Sequence, residues 1–306
     1  MVTTTNIKNS DWKLSDRVWA YLQLMRPANI VTAWADILAG CAAAGITVTT
    51  TNFALAWLLL ATTGLYGGGV VFNDVFDTAL DKEERPERPI PSGRASRQGA
   101  ILLGSLLLLM GVMAAATVSL LSGAIAIFVA LAALLYDAVS KHDPLIAPIN
   151  MGCCRGGNLL LGMSIVPAML ASLWWLALFP IVYIAAITAI SRGEVKGGKR
   201  ATGIFALCCL AIVFSSILAL GLFTDYAIAS ALPFLLLFAI RVLPPFIAAT
   251  RDPQAETIRS AVKAGVLSLI VLNATLTAGF AGALYGLLVL GLLPISMILA
   301  RKLAVT

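Results

Sequence analysis

Charge is what this chain most lacks. Only 12% of its 306 residues are Asp, Glu, Lys or Arg, against about 25% in an ordinary soluble domain. Hydrophobic residues make up 60%, and the mean hydropathy is +0.94. No water-soluble fold hides that much apolar surface, so the bilayer is the expected solvent. Histidine is down to one residue, and the five cysteines (Cys41, Cys153, Cys154, Cys208 and Cys209) sit in apolar runs. That count and spacing exclude a structural zinc site and favour small buried side chains. The N-terminus lacks a basic-then-apolar stretch with a cleavage site. A polar segment, 1–17, is therefore expected ahead of a single membrane domain, 18–306. The net charge of +6 does not call for nucleic acid, because the basic residues are confined to short loops.

What is abundant is apolar runs long enough to cross a bilayer, which takes roughly 20 residues. They fall at about 18–46, 53–78, 97–118, 121–140, 144–170, 172–191, 201–222, 226–247, 258–280 and 283–301. The fold class expected is all-α, a polytopic bundle of nine to ten transmembrane helices enclosing a lipid-accessible cavity. Charge supports that count. Lys82, Arg85, Arg88 and Arg94 lie in one connection, Lys141 in a second, Arg192, Lys196, Lys199 and Arg200 in a third, and Arg251 in a fourth, with Arg259 and Lys263 just after it. The connections near 46–53, 118–121, 171–172, 222–226 and 281–283 contain no Lys or Arg. By the positive-inside rule, both termini and every charged loop are expected in the cytoplasm.

The densest chemistry is Asn73-Asp74-Val75-Phe76-Asp77-Thr78-Ala79-Leu80-Asp81, at the basic end of the second run. Asp74, Asp77 and Asp81 are spaced i, i+3, i+7, and on one helix they project from one face. Three such carboxylates repel one another and are costly near a bilayer unless a cation neutralises them. Oxygen-only ligands suit Mg²⁺, which typically pairs one or two carboxylates with substrate phosphates. A solvated helix end is the plainer alternative. Gly67-Gly68-Gly69 precedes the motif and permits close backbone approach by another helix or by a flat substrate. After it, Arg88-Pro89-Ile90-Pro91-Ser92-Gly93-Arg94 forms a stiff basic loop whose arginines suit phosphate oxygens.

These residues resemble the UbiA superfamily of intramembrane prenyltransferases: Asn-Asp-x-x-Asp-x-x-x-Asp followed by a basic Arg-Pro-x-Pro-Ser-Gly loop. Arg26-Pro27-Ala28-Asn29 upstream extends the likeness, as do Tyr136, Lys141 and the stretch from Asn150 to Gly162, with Arg155 and Asn158. The resemblance implies a prenyl diphosphate donor, Mg²⁺ held by Asn73, Asp74, Asp77, Asp81 and Glu194, and an unidentified lipophilic acceptor, aromatic or otherwise. It implies substrate-binding roles for Arg26, Asn29, Asn73, Arg88, Tyr136, Lys141, Arg155, Asn158 and Arg192, and catalytic roles for Asp77, Asp81, Glu194 and Lys196. Membrane lipids are the expected surroundings. The family usually carries a second Asp motif after the sixth helix. Here Ser191-Arg192-Gly193-Glu194-Val195-Lys196-Gly197-Gly198 stands in its place, with one carboxylate amid positive charge. That run is similar to a divergent bacterial branch labelled EboC-like, which places the chain in a bacterial inner membrane.

Other readings stay open. The altered second motif also suits a non-catalytic lipid or metabolite binding or transport protein that keeps the fold. Arg155 suits either a substrate cavity or a structural ion pair. Asp137 and Lys141, at i, i+4, suit an ordinary helix pair as well as a ligand site. Tyr136 suits carbocation stabilisation or interfacial anchoring. Asp36 suits a polar contact between helices, and Asn273 carries no assignable signal.

Overall fold

The computed structural model describes residues 13–46 and 53–303. The first twelve residues of the expected polar N-terminal segment therefore lie outside the described residues. Fourteen α-helices follow one another, and no strand occurs among the described residues. In chain order they are α1 Leu14–Met25, α2 Pro27–Ala43, α3 Phe53–Phe76, α4 Thr78–Glu84, α5 Arg97–Val118, α6 Leu120–Ala138 and α7 Ile146–Met163. Next come α8 Pro167–Leu173, α9 Leu178–Ser191, α10 Arg200–Phe223, α11 Ile228–Arg251, α12 Ala255–Ala281, α13 Ala283–Leu290 and α14 Leu292–Leu303.

Every one of the ten apolar runs is helical, but not all are one uninterrupted helix. The first breaks at Arg26, whose φ of 48° ends α1, while Pro27 opens α2. Proline restricts the residue before it away from the α region and is well placed in a helix's first turn. The second run breaks at Asp77, so the motif is divided between α3 and α4. Among the described residues, eight helical stretches are long and apolar enough to span a membrane. The other two runs correspond to α2, with 17 residues, and α7, whose apolar character Asn150, Arg155 and Asn158 dilute.

The outer surface shows why the solvent must be lipid. On α5, Leu102, Leu106, Leu109 and Met113 are all more than half exposed and share one face of the helix. Such a continuous apolar stripe would be prohibitive in water and is ordinary against acyl chains. Local polar groups close the helix ends. Ser96 caps α5 by accepting the Gly99 N–H at 3.0 Å, and Ser119 alone links α5 to α6, accepting the Ser122 N–H at 3.0 Å.

α2 runs through the centre, packed against α7, α12 and α14, with 13 of its 17 residues buried. Glycine sets the closest approaches. A Cβ on Gly40 would sit 2.1 Å from the Leu159 carbonyl oxygen, and one on Gly162 would sit 2.3 Å from that of Ile37, so α2 and α7 touch backbone to backbone. Gly64 and Gly111 do the same for α3 and α5. In the triple glycine, Gly68 meets Leu108 while Gly67 and Gly69 have more room. One apolar core lies among α2, α7 and α9–α12 and a second among α2, α3, α5 and α6.

Candidate active site

Between these two cores lies a cavity of about 340 Å³. Its polar rim comes from Arg26 and Asn29 at the start of α2, Asn73 at the end of α3, Tyr136 and Asp137 at the end of α6, and Ser191 at the end of α9. Its walls are apolar, with Leu65, Val129, Ile184, Ile187, Val266 and Leu269, and deeper polar atoms come from Tyr66, Arg155 and Asn158. Six of the sequence candidates thus line one space: Arg26, Asn29, Asn73, Tyr136, Arg155 and Asn158.

The aspartates of the motif stand beside the rim, and each faces a cation. Asp74 accepts from Arg26 at 2.6 Å and from Arg88 at 3.3 Å. Arg88 also donates to both oxygens of Asp81, at 2.8 and 3.0 Å. Asp77 pairs with Lys141. The break at Asp77 explains the division: Asp74 and Asp81 turn to the same guanidinium, while Asp77 turns to the α6–α7 connection. Of the two readings open for Asp137 and Lys141, the i, i+4 helix pair is not made, because α6 ends at Ala138 before that contact can form. Lys141 goes to Asp77 instead, and Asp137 accepts from Asn73 at 2.8 Å.

The loop between α9 and α10 contributes differently. Arg192 donates to the carbonyl oxygens of Lys141 and Asp143, at 3.2 and 2.7 Å, tying this loop to the α6–α7 connection. Asp143 in turn accepts the Leu145 and Ile146 N–H groups at 2.8 Å, closing the start of α7 and holding its carboxyl below the ordinary value. Glu194 is half-buried, and burial pushes its carboxyl above the ordinary value despite the opposing charges of Arg85 and Arg259. Glu194 is not part of the cavity wall. Neither is Lys196, which is exposed.

A second polar cluster lies deeper. Asp36 accepts from Arg155 at 2.8 Å, Asn158 at 3.1 Å and Asn273 at 2.6 Å. Arg155 also donates to Thr32 at 2.6 Å and stands 4.9 Å from the centre of the Tyr66 ring. Of the two readings open for Arg155, the structure supplies both, since it is ion-paired and lines the cavity. Asn150 turns away to Ser140 at 3.0 Å. Neither Asn273 nor Tyr66 belongs to a motif in the sequence. The available signal was a lone asparagine in an apolar helix that is buried along most of its length. Arg241, inside the apolar α11, likewise belongs to no motif.

The donor chemistry at the rim fits a hard dication. Asn73, Asp74, Asp77 and Asp81 offer oxygens only, within two turns of chain at the cavity mouth. Among the described residues no three acidic, His or Cys side chains already converge as a metal centre. The carboxylates instead hold flexible cationic side chains, Arg26, Arg88 and Lys141, which can exchange partners when a dication and a polyanion enter.

Comparison with known proteins bears on the fold and the family. Residues 32–262 match the UbiA prenyltransferase family. A digeranylgeranylglyceryl phosphate synthase of Methanosarcina mazei is 33% identical over 163 residues, 50% of this chain and 56% of that one. The chain thus spans little more than half the length of that relative. The synthase of the same name from Methanoregula boonei is 33% identical over 228 residues, 71% of this chain and 78% of that one. A UbiA homologue from Archaeoglobus fulgidus superimposes with a TM-score of 0.66 at 16% identity, covering 89% of this chain and 99% of that one. Its structure bound to DMAPP and Mg²⁺ gives a TM-score of 0.54 with the same coverage.

Proposed function

We propose, starting from the fact that this chain belongs to the UbiA prenyltransferase family, that it is a Mg²⁺-dependent prenyltransferase working inside the membrane. Its donor is an allylic prenyl diphosphate and its acceptor a lipophilic molecule. The observation that carries this reading is the shape of the cavity. One end is ringed by Arg26, which is paired with Asp74, and by Asn29, Asn73 and Asp137, and the rest is walled by Leu65, Val129, Ile184, Ile187, Val266 and Leu269. That is the complement of an amphiphile with a highly charged head and an isoprenoid tail. The archaeal homologue bound to DMAPP and Mg²⁺ supports the same assignment.

In this reading Asn73, Asp74, Asp77 and Asp81 would hold Mg²⁺. When bound, the ion supplies charge neutralisation to the leaving diphosphate. Arg26, Arg88 and Lys141 leave their carboxylates and turn to the diphosphate oxygens, Arg26 from the cavity rim itself. Arg192 holds the α9–α10 loop against the α6–α7 connection beside the mouth, and Glu194 and Lys196 ride on that loop. The apolar walls exclude water, so that the allylic cation left after C–O cleavage is captured by the acceptor rather than quenched. Tyr136 presents a ring to the same space, where its face favours a passing cation. The Lys- and Arg-rich loops support a mouth on the cytoplasmic side. The bacterial inner membrane is the location we assign.

The test uses purified protein in nanodiscs made with a total membrane-lipid extract as the source of acceptor, with geranyl or geranylgeranyl diphosphate and MgCl₂, measuring diphosphate release. Release is expected with Mg²⁺ and lost on chelation. Asp77→Ala is expected to lower it by about a hundredfold or more, the scale of removing one preorganised electrostatic contact. Absence of release from a protein that still binds the labelled diphosphates would overturn the reading.

A further inference from the structure

The donor end of the proposed reaction leaves the deeper polar cluster without a task. Arg155 and Asn158 are 5% and 4% exposed, line the cavity, and are one turn apart on α7. Both converge on one oxygen of Asp36, and Asn273 takes the other. The Asp36 and Arg155 charges cancel, so the cluster is neutral and offers no net attraction to an anionic head. Its hydrogen bonding is nonetheless incomplete. The Oδ1 atoms of Asn158 and Asn273 are buried and accept from nothing, a costly state for a carboxamide oxygen. The Arg155 guanidinium carries five N–H donors, of which Asp36 and Thr32 take one each.

We infer that this cluster is a hydroxyl-reading subsite, and that the acceptor is a lipophilic molecule whose O–H group rests between the Arg155 guanidinium and Asn158 Oδ1. A hydroxyl accepts from Arg155 and donates to Asn158 at once. An ether or carbonyl can only accept, and would leave Oδ1 unsatisfied. A carboxylate or phosphate would bring a second negative charge against buried Asp36 and has no proton to give. The depth suits a group lying beside the donor. Thr32, which Arg155 touches, is six residues past Arg26, or ~9 Å along the helix axis. Asn273 belongs to the same cluster but is not on the cavity wall, so it separates recognition from scaffolding.

This inference rests on the cavity being the substrate site, but its test needs no turnover. Purified protein in nanodiscs, with no prenyl diphosphate present, is titrated with 1-decanol and with decyl methyl ether, and binding is read by thermal shift and native mass spectrometry. The wild type is expected to prefer the alcohol about tenfold, the scale of one good hydrogen bond. Asn158→Ala is expected to abolish the preference. Asn273→Ala is expected to keep it, although it too loses a bond to Asp36. Should Asn158→Ala not fold, the milder Asn158→Ser carries the same expectation.

The inference is overturned if the wild type shows no preference, which would mean a buried water alone serves Asn158. It is also overturned if Asn158→Ala keeps the preference, or if Asn273→Ala erases it equally, which would make the cluster purely structural. A protein that releases no diphosphate yet keeps the alcohol preference would sink the reaction and leave the subsite standing.

Discussion

Removing Arg155 is the most severe single test of how this fold is held together. Its guanidinium and the Asp36 carboxylate are 6% and 0% exposed, 2.8 Å apart, and join α7 to α2 in the middle of the bundle. Deleting one member of a buried pair typically costs 3–5 kcal/mol, because the survivor is left charged without a counter-ion. In Arg155→Met, Asp36 would keep the two amide donors of Asn158 and Asn273 but no opposite charge, so a loss near 3 kcal/mol is expected. In Asp36→Leu, Arg155 would keep only Thr32 and the Tyr66 ring face, and a loss near the upper end, about 5 kcal/mol, is expected. The double variant removes both charges and fills the space with apolar atoms, so it should cost far less than the sum of the singles. The assay is reversible unfolding in mixed micelles, run as a double-mutant cycle. The reasoning fails if Arg155→Met costs less than about 1 kcal/mol, the range of an exposed pair. It also fails if the two single effects simply add.

Three further outcomes follow from other parts of the structure. Gly40→Ala forces a Cβ against the Leu159 carbonyl oxygen and should destabilise the bundle by about 1–3 kcal/mol through overpacking; Gly69→Ala, whose new Cβ would meet only Ala133 at 3.3 Å, should cost much less in the same thermal melts. Glu194 is held above its ordinary value of 4.5 chiefly by burial, so its protonated form favours folding below that pH, and the benefit is lost as pH rises through the higher folded value. Glu194→Gln should therefore be the more stable protein at neutral pH and match the wild type at acid pH, which a pH series of melts checks. Arg192→Ala frees the α9–α10 loop from the Lys141 and Asp143 carbonyl oxygens; limited proteolysis should then cut near Glu194 faster, and an unchanged cleavage rate would show that the two bonds do not restrain the loop.

The parts of this molecule legible in its sequence are those encoded by near neighbours. Apolar runs of about 20 residues locate the helices because each must satisfy its own backbone in lipid, and the run at 97–118 coincides with α5. The break at Arg26 had a local signal too, since a residue before proline is pushed from the α region. The break at Asp77 had none, because nothing in Val75-Phe76-Asp77-Thr78 resists continuing a helix. Pairing was the least legible feature. Asp137 and Lys141 are at the right spacing, yet the ending of α6 decides their fate. Asp36 meets Asn273 across 237 residues of chain, a contact that only the packing of α2 against α12 creates.

The two polar systems are built on opposite principles, and that difference assigns their roles. At the mouth, Asp74, Asp77 and Asp81 are matched by Arg26, Arg88 and Lys141, long side chains able to turn from a carboxylate to a phosphate without moving a helix. Arg26 is also the most exposed of the six, at 29% for its side chain, so water can ease the exchange. Deeper in, Asp36 is fully buried and held by three donors from two other helices, α7 and α12, so it cannot reorganise without opening the bundle. Exchangeable charge belongs where a polyanion must enter and leave. Fixed, neutral hydrogen bonding belongs where a second substrate must be oriented and where a stray charge would trap the cation. The same membrane that makes both systems expensive makes each specific, because neither can be satisfied by solvent.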